Sequence, residues 1–214
     1  MKKILLLILV TLLTFSSFSI ISAEEIGREQ KIINIIKNYE SNEWNLLLEE
    51  LEPLKTNINT ETQKITILKT YKFDNKTVSF LSDGSYIVDV LEKKESNKLY
   101  ATDSYTNTYQ KVRTQYGAAN TVVWKAWVEG YFKYDGTNTP TPYLTNSGYE
   151  KGFLSVWKVS DWEDDTTTYA NTKKAACYAK GYFYWGIEIP GEDIVFQDMH
   201  VDVRLYCDKD GNIS

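Results

Sequence analysis

Residues 121–134 read TVVWKAWVEGYFKY, and the alternation in this stretch decides the fold class. Side chains on a β-strand point alternately to opposite faces. The apolar face carries Val122, Trp124, Ala126, Val128 and Phe132, and the mixed face carries Lys125, Trp127, Glu129, Tyr131 and Lys133. A strand of this kind is typical of an antiparallel sheet that covers a core with one face.

Two turns nearby predict hairpins. Gly117-Ala118-Ala119-Asn120 joins the quoted strand to a preceding strand expected within 102–115. Further towards the N-terminus, Asp83-Gly84 lies between the β-forming runs 78–81 and 86–91. Asp-Gly between two such runs is a strong hairpin signal. Both patterns favour antiparallel pairing between strands that are consecutive in the sequence.

The chain after residue 134 continues the β pattern. Residues 135–146 include Gly136, Pro140 and Pro142, and they are predicted to form an exposed loop. Further strands are expected over 152–159, 172–187 and 194–207. About eight strands with no helices between them predict an antiparallel β-sandwich, immunoglobulin-like in the broad sense. The same pattern excludes a parallel α/β sheet.

Residues 24–52 have helical spacing instead, with apolar residues every three or four positions in two parts. Ser41-Asn42 supplies capping side chains between the parts, and Pro53 is expected to end the second helix. The predicted organisation is a signal peptide at 1–23, a helical segment at 24–60, a β-hairpin region at 61–98 and a β-sandwich domain at 99–214. The sequence leaves open whether the helical segment packs on the sandwich or is a pro-segment, and whether the hairpin region belongs to the sandwich.

The first residues have the pattern of a secretion signal. Met1-Lys2-Lys3 precedes an apolar run over 4–21, and the small residues Ser22-Ala23 come just before Glu24-Glu25. This order predicts cleavage after Ala23 and a secreted or surface-associated, extracellular protein. A retained anchor helix is the alternative, because about 18 apolar residues can just span a bilayer.

Charge and motif content narrow the classes of function. Loss of Lys2 and Lys3 with the signal would change the formal net charge from −5 to −7. An acidic chain without a basic stripe is not expected to bind nucleic acid. No second apolar run approaches membrane length, so membrane contact is expected only during export. No phosphate-binding glycine loop, Gly-x-Ser-x-Gly elbow or His-Glu-x-x-His pair is present, and the sequence predicts no cofactor.

The chain has two cysteines, Cys177 and Cys207. In their strands both share a phase with apolar residues, so both thiols are predicted to face the core. An isolated pair in an exported protein is usually a disulfide, and the sequence therefore predicts a Cys177–Cys207 bridge. Two separate buried thiols are the alternative.

Three groups of residues that contain carboxylates could be considered as metal ligands. His200 shares a strand phase with Asp198 and Asp202, and the stretch from Asp208 to Asn212 begins like a calcium-binding loop. The third group is the run Asp161 to Asp165. A solvated strand face, a terminal turn and an acidic turn between strands explain the three groups more simply, and no metal site is predicted.

A glycosidase would need only two carboxylates. Glu129 and Glu188 both lie in aromatic strands, and secreted xylanases on aromatic-rich β-jelly rolls have similar length and composition. The strand phases do not place the two acids in one cleft. No catalytic residue is therefore assigned, and a carbohydrate-active enzyme or carbohydrate-binding module is kept as an alternative.

Aromatic residues are abundant, with 16 Tyr and 6 Trp. Aromatic platforms on a sheet face suit stacking on sugars, and their amphipathic rings also suit protein interfaces. Tyr and Trp are good strand formers in any case, which explains many of them without a ligand. If some of them do bind a ligand, Trp127, Tyr131 and Trp162 are the candidates.

Short motifs spread over about two thirds of the exported chain resemble an uncharacterised family of small secreted proteins from low-GC Gram-positive bacteria. They are Ser82-Asp83-Gly84-Ser85-Tyr86, Val123-Trp124-Lys125-Ala126, Phe132-Lys133-Tyr134-Asp135-Gly136 and the end from Arg204 to Ser214. The resemblance implies a β-sandwich and supplies no activity or catalytic residue.

The sequence thus favours a secreted, non-catalytic protein that binds an extracellular glycan or protein. A bacteriocin-like or toxin-like exported effector is the second hypothesis, because exposed aromatic rings could meet a target membrane or envelope. The carbohydrate-active protein is the third.

Overall fold

The computed structural model describes residues 23–51, 65–94, 104–152, 157–189 and 192–214. Helix α1 spans Ala23–Asn38 and helix α2 spans Ser41–Glu49, so two short helices are present as predicted. The N-cap residue of α2 is Glu40, which makes no side-chain cap hydrogen bond. No helix in these ranges is long and apolar enough to cross a membrane. The signal predicted for residues 1–23 lies outside the described residues except for Ala23.

In the described residues, nine strands form two antiparallel sheets, and the predicted mainly β fold is confirmed. The first sheet contains, in spatial order, β1 (Ile67–Phe73), β2 (Lys76–Leu81), β3 (Tyr86–Lys93), β4 (Tyr109–Tyr116), β5 (Val122–Lys133) and β6 (Thr141–Lys151). The second contains β7 (Lys158–Tyr169), β8 (Lys174–Ile189) and β9 (Glu192–Asp208). Since β3 pairs with β4, the first sheet continues across residue 98, where the sequence suggested a boundary.

Both predicted hairpins are confirmed. β2 and β3 pair across the turn that contains Gly84, whose φ of 79° is readily adopted only by glycine. β4 and β5 pair across a turn that ends at Asn120, which has a φ of 61°. Asparagine tolerates this left-handed conformation better than most residues do, so each turn has the residue type that its backbone needs.

The exposed loop predicted over 135–146 is wrong for its second half, because β6 begins at Thr141. Pro142 suggested a loop, since proline cannot donate to a β-ladder. However, β6 is the edge strand of the six-stranded sheet, and an edge strand tolerates proline where no partner requires its N–H. Pro142 therefore indicates an edge strand and not a loop.

A second correction concerns the acidic run from Asp161 to Asp165, which is not a turn between strands. It lies inside β7, an edge strand of the second sheet that begins at Lys158. Of the strand predicted over 152–159, residues 153–156 lie outside the described residues. A bulge between Ser160 and Glu163 leaves Asp161 with a φ of 50°. Charged side chains and bulges are common on edge strands, where they discourage pairing with another chain.

The main core lies between the two sheets. Trp124, Ala126, Val128 and Phe132 of β5 are fully buried there, as the alternation predicted. They pack with inward residues of β8 and β9, among them Phe183. Val122, predicted for the same face, is only partly buried and packs against a different cluster. We call this face of the six-stranded sheet the inner face, and the opposite one the outer face.

The two helices pack on the outer face over β2 and β3. Ile32, Ile36, Trp44 and Leu48 are almost fully buried, and they form a second core with strand residues such as Val88. The amphipathic spacing of residues 24–52 therefore has a partner in the same chain. The helical segment, as far as it is described, packs on the outer face of the sheet.

A buried lysine fixes the helices to the sheet. Lys76 of β2 donates hydrogen bonds from its Nζ to the carbonyl oxygens of Ile36, at 3.1 Å, and Tyr39, at 2.8 Å. These carbonyls are at the C-terminal end of α1, where a cation also interacts favourably with the helix dipole. The same ammonium group lies 5.1 Å from the centre of the Trp44 ring of α2. One side chain thus contacts both helices.

The predicted disulfide is wrong, although both cysteines are buried as predicted. Cys177 of β8 lies opposite Leu205 of β9, and Cys207 lies opposite Ala175, so the thiols are diagonal neighbours. Cβ atoms in diagonal positions are about 7–8 Å apart or slightly less, whereas a disulfide needs about 3.8 Å. The register of the two strands keeps the cysteines unbonded.

We expect thiol titration without reductant to detect two reactive thiols after denaturation and very slow reaction in the folded protein. Burial raises the pKa of both Cys177 and Cys207 to about 12, so the reactive thiolate is scarce at neutral pH. Detection of no thiol in the denatured protein would contradict the register seen here.

Candidate functional site

Part of the outer face is not covered by the helices. Strand register places Val112 of β4, Trp127 of β5 and Gly148 of β6 side by side on this face. Further along the same strands, Tyr131 of β5 lies opposite Tyr143 of β6. We call the outward side chains of β4, β5 and β6 the open face. It extends from the edge of α2 to the far end of β5.

A groove of about 510 Å³ forms the end of the open face next to α2. Val90, Val112 and Thr114 contribute to its floor, and Trp44 and Asn45 of α2 line it on the helix side. The groove combines apolar and polar lining groups, as ligand sites commonly do. Its position depends on the helices, since two of its lining residues belong to α2.

The helix side of the groove is held in place by a chain of hydrogen bonds. The indole N–H of Trp44 donates to the Tyr116 hydroxyl at 2.9 Å, and that hydroxyl donates to Oδ1 of Asn45 at 2.6 Å. Burial raises the pKa of Tyr116 to about 12, so its hydroxyl keeps its proton at neutral pH. The groove is therefore largely pre-formed.

Trp127 lies next to the groove and flat against the sheet. A Cβ atom on Gly148 would be 2.5 Å from Cζ2 of the Trp127 ring and 3.0 Å from two further ring atoms. Only glycine allows this close approach. Lys125 places its Nζ 5.7 Å from the centre of the same ring. The Trp127 ring thus forms an aromatic surface on the sheet, and the Lys125 ammonium group lies over it.

Tyrosines form the far end of the open face. The rings of Tyr131 and Tyr143 are stacked, with centroids 4.8 Å apart and planes at 10°. Tyr105, just before β4, lies 6.2 Å from Tyr131 and 6.4 Å from Tyr143. Lys133 places its Nζ 5.6 Å from the Tyr105 ring. Two of the predicted site residues, Trp127 and Tyr131, therefore share the open face.

Trp162, the third predicted site residue, lies elsewhere. Its ring is 4.9 Å from Tyr149 and 6.3 Å from Phe183, and it packs against the core between the sheets. Tyr149 follows Gly148 in β6 and so faces the inner side. Trp162 and Trp127 are consequently on opposite sides of β6, and the structure does not bring the three rings together.

Sequence reasoning missed the groove and the role of Gly148. The groove depends on how α2 crosses the sheet, which helical spacing does not specify. Gly148 could have been noticed, because an isolated glycine in a strand often marks a close approach of another group. No protein-family model, curated protein or solved structure matches the chain.

The carboxylates named above as possible metal ligands make other contacts in the structure. The Asp208 carboxylate accepts hydrogen bonds from the backbone N–H groups of Asp210 and Asn212 and from the Asn212 amide, which lower its pKa and close a turn. Asp202 pairs with Arg204 at 2.8 Å, and His200 lies beside Tyr182 with ring centroids 5.0 Å apart. The described residues contain no group of three or more His, Cys, Asp or Glu that could hold a metal ion.

Of the two acids that a glycosidase would need, Glu188 has a side chain that lies outside the described part of the chain. Glu129 lies on the open face and accepts a hydrogen bond from the Thr145 hydroxyl at 3.2 Å. Its position beside Trp127 makes it a candidate for contacting a ligand through hydrogen bonds.

Proposed function

We propose that this chain is an exported, non-catalytic β-sandwich protein, immunoglobulin-like in the broad sense, that binds an extracellular ligand on its open face. Two antiparallel sheets with a shared core support the sandwich. The signal pattern at residues 1–23 supports export.

The main support for the proposal is that the groove, Trp127 and Tyr131 lie one after another along the open face. Trp127 and Tyr131 are four residues apart on β5, which corresponds to about 13 Å along a strand. The groove adds a concave end to this row. Aromatic rings beside a pre-formed concavity supply contact area with little loss of conformational freedom on binding. The open face therefore has the features of a site for an elongated ligand.

The test is a binding screen on immobilised glycans and extracellular matrix proteins, with purified wild-type protein and two variants. We expect the wild type to bind at least one class of target. Trp127→Ala should weaken that binding by about tenfold or more, since a lost aromatic contact of this kind costs about 1–3 kcal/mol.

The matched control is Tyr182→Ala, which removes a 46 % exposed aromatic ring from the second sheet, away from the open face. This variant should bind like the wild type. If no target is bound, or if Trp127→Ala and Tyr182→Ala bind equally well, the proposed site is wrong.

A further inference from the structure

We infer that the open face takes an extended, uncharged oligosaccharide, because aromatic rings and hydrogen-bonding side chains alternate along it and its lysines and glutamates nearly balance. This inference rests on the proposed binding function and specifies its ligand.

The Trp127 ring packs closely on Gly148, where a Cβ atom would meet three atoms of the indole. The side of the ring turned away from the sheet is only partly covered and lies under the Lys125 ammonium group, whose Nζ is 5.7 Å from the ring centre. The face of an aromatic ring carries partial negative charge and attracts positively polarised C–H groups. Sugar rings present such C–H groups on one side. The exposed Tyr143 ring, stacked on Tyr131, offers a second surface of the same kind.

Polar side chains lie between the two aromatic surfaces. Gln110 of β4 and Asn146 of β6 are the register partners of Glu129 of β5, so the three side chains form a row between Trp127 and Tyr131. Amide groups both donate and accept hydrogen bonds, and a carboxylate accepts them. Sugar hydroxyls can satisfy all three. A hydrophobic peptide would instead leave these groups without partners at a cost in free energy.

The charges of the open face and its groove nearly balance. Lys94 pairs with Glu92 at 2.7 Å at the rim of the groove, and Lys125 has Glu150 as its register partner on β6. The remaining charges described here are those of Lys133, Lys151 and Glu129. A polyanionic glycan would need a large excess of cations, which four lysines beside three glutamates do not provide. The net charge of −5 on the whole chain also opposes a polyanion.

An extended peptide that adds a strand needs an unpaired sheet edge, and on the open face only β6 offers one. Trp127 and Glu129 project from β5, which is paired with β4 on one side and β6 on the other, so a strand added to β6 would lie one strand away from them. A ligand that contacts Trp127 and Glu129 has to be recognised by side chains, which suits a ligand rich in hydroxyl and C–H groups.

Affinity electrophoresis of the full chain tests the inference, with gels that contain soluble neutral glucans, galactomannans or xylans, or the anionic glycans hyaluronan and heparin. We expect at least one neutral polysaccharide to retard the wild type and neither anionic glycan to do so. Trp127→Ala and Gly148→Ala should each weaken retardation by about tenfold, Gly148→Ala because its Cβ would displace the ring. Tyr182→Ala should be retarded like the wild type.

The outcomes separate the ligand class from the binding function. Binding to an anionic glycan or to a protein that is lost in Trp127→Ala would overturn the sugar class and leave the binding site standing. Retardation by neutral glycans that is equal in Trp127→Ala would overturn this site as their receptor. If no target of either experiment shows binding that depends on Trp127, both the inference and the proposed function fail.

Discussion

Replacing Trp124 with alanine is expected to lower the free energy of unfolding by about 3–5 kcal/mol, the usual cost of removing a large aromatic residue from a core. Trp124 is fully buried between the two sheets, and its ring lies 4.9 Å from that of Phe183. The cavity would open at the centre of the main core, which rigid neighbouring strands cannot easily close. Urea denaturation followed by circular dichroism measures the loss.

Trp127→Ala is the matched control, since it removes the same side chain from the opposite face of the same strand. Trp127 is only partly buried, and we expect a loss of about 1 kcal/mol or less. Similar losses in the two variants would mean that the assignment of inner and outer faces is wrong. The small effect of Trp127→Ala on stability also allows its binding to be measured on a folded protein.

Lys76→Met should lower the free energy of unfolding by about 2–3 kcal/mol, because hydrogen bonds from a buried charged donor have about this worth. The change removes a side-chain donor to the carbonyls of Ile36 and Tyr39, and it leaves the buried oxygen of Ile36 and the part-buried oxygen of Tyr39 without it. The loss should weaken the packing of the helices on the sheet. Relative to the wild type, hydrogen exchange should therefore speed up more at the α1 amides than at the β5 amides.

The control for this variant is Lys72→Met on β1, which removes an exposed lysine from the neighbouring strand. It should leave both the unfolding free energy and the exchange of α1 nearly unchanged. If Lys76→Met does not speed exchange in α1, the helices are held by their apolar contacts alone, and the role assigned to Lys76 is incorrect.

The alternation of apolar and polar residues in β5 predicted its part of the main core, but it did not predict the edge strands β6 and β7. Residues 121–134 predicted four fully buried residues of β5, because a central strand of a sheet must bury one face. β6 and most of β7 were missed because Pro142 and the acidic run were interpreted as loop and turn signals. Pro142 and the acids of 161–165 are acceptable only where one side of the strand has no partner.

The disulfide prediction failed for a related reason. Period two placed Cys177 and Cys207 on the same inner face correctly, but it does not specify which residues lie opposite one another. Register is set by the connection between strands, and here it offsets the cysteines by two positions. With the thiols unbonded, the case for export rests on the signal pattern and gains nothing from the cysteines.

Two of the three predicted site residues share a face, and the third does not, because Trp162 belongs to β7 of the second sheet. Next to the bulge in β7, its ring packs against Phe183 and the core, on the other side of the six-stranded sheet from the open face. A single sequence does not reveal which sheet a strand joins. Nor does it reveal that α2 completes the groove, since tertiary packing sets the crossing of a helix over a sheet.

NMR titration of the full chain with a neutral oligosaccharide that binds it locates the binding surface. The chain has 6 Trp residues, each with one indole N–H signal. We expect the indole signal of Trp127 and the side-chain amide signals of Gln110 and Asn146 to shift, and the indole signal of Trp162 to stay in place. Shifts at Trp162 or around Tyr182 with Trp127 unaffected would show that the ligand binds another surface and that the open face is not the site.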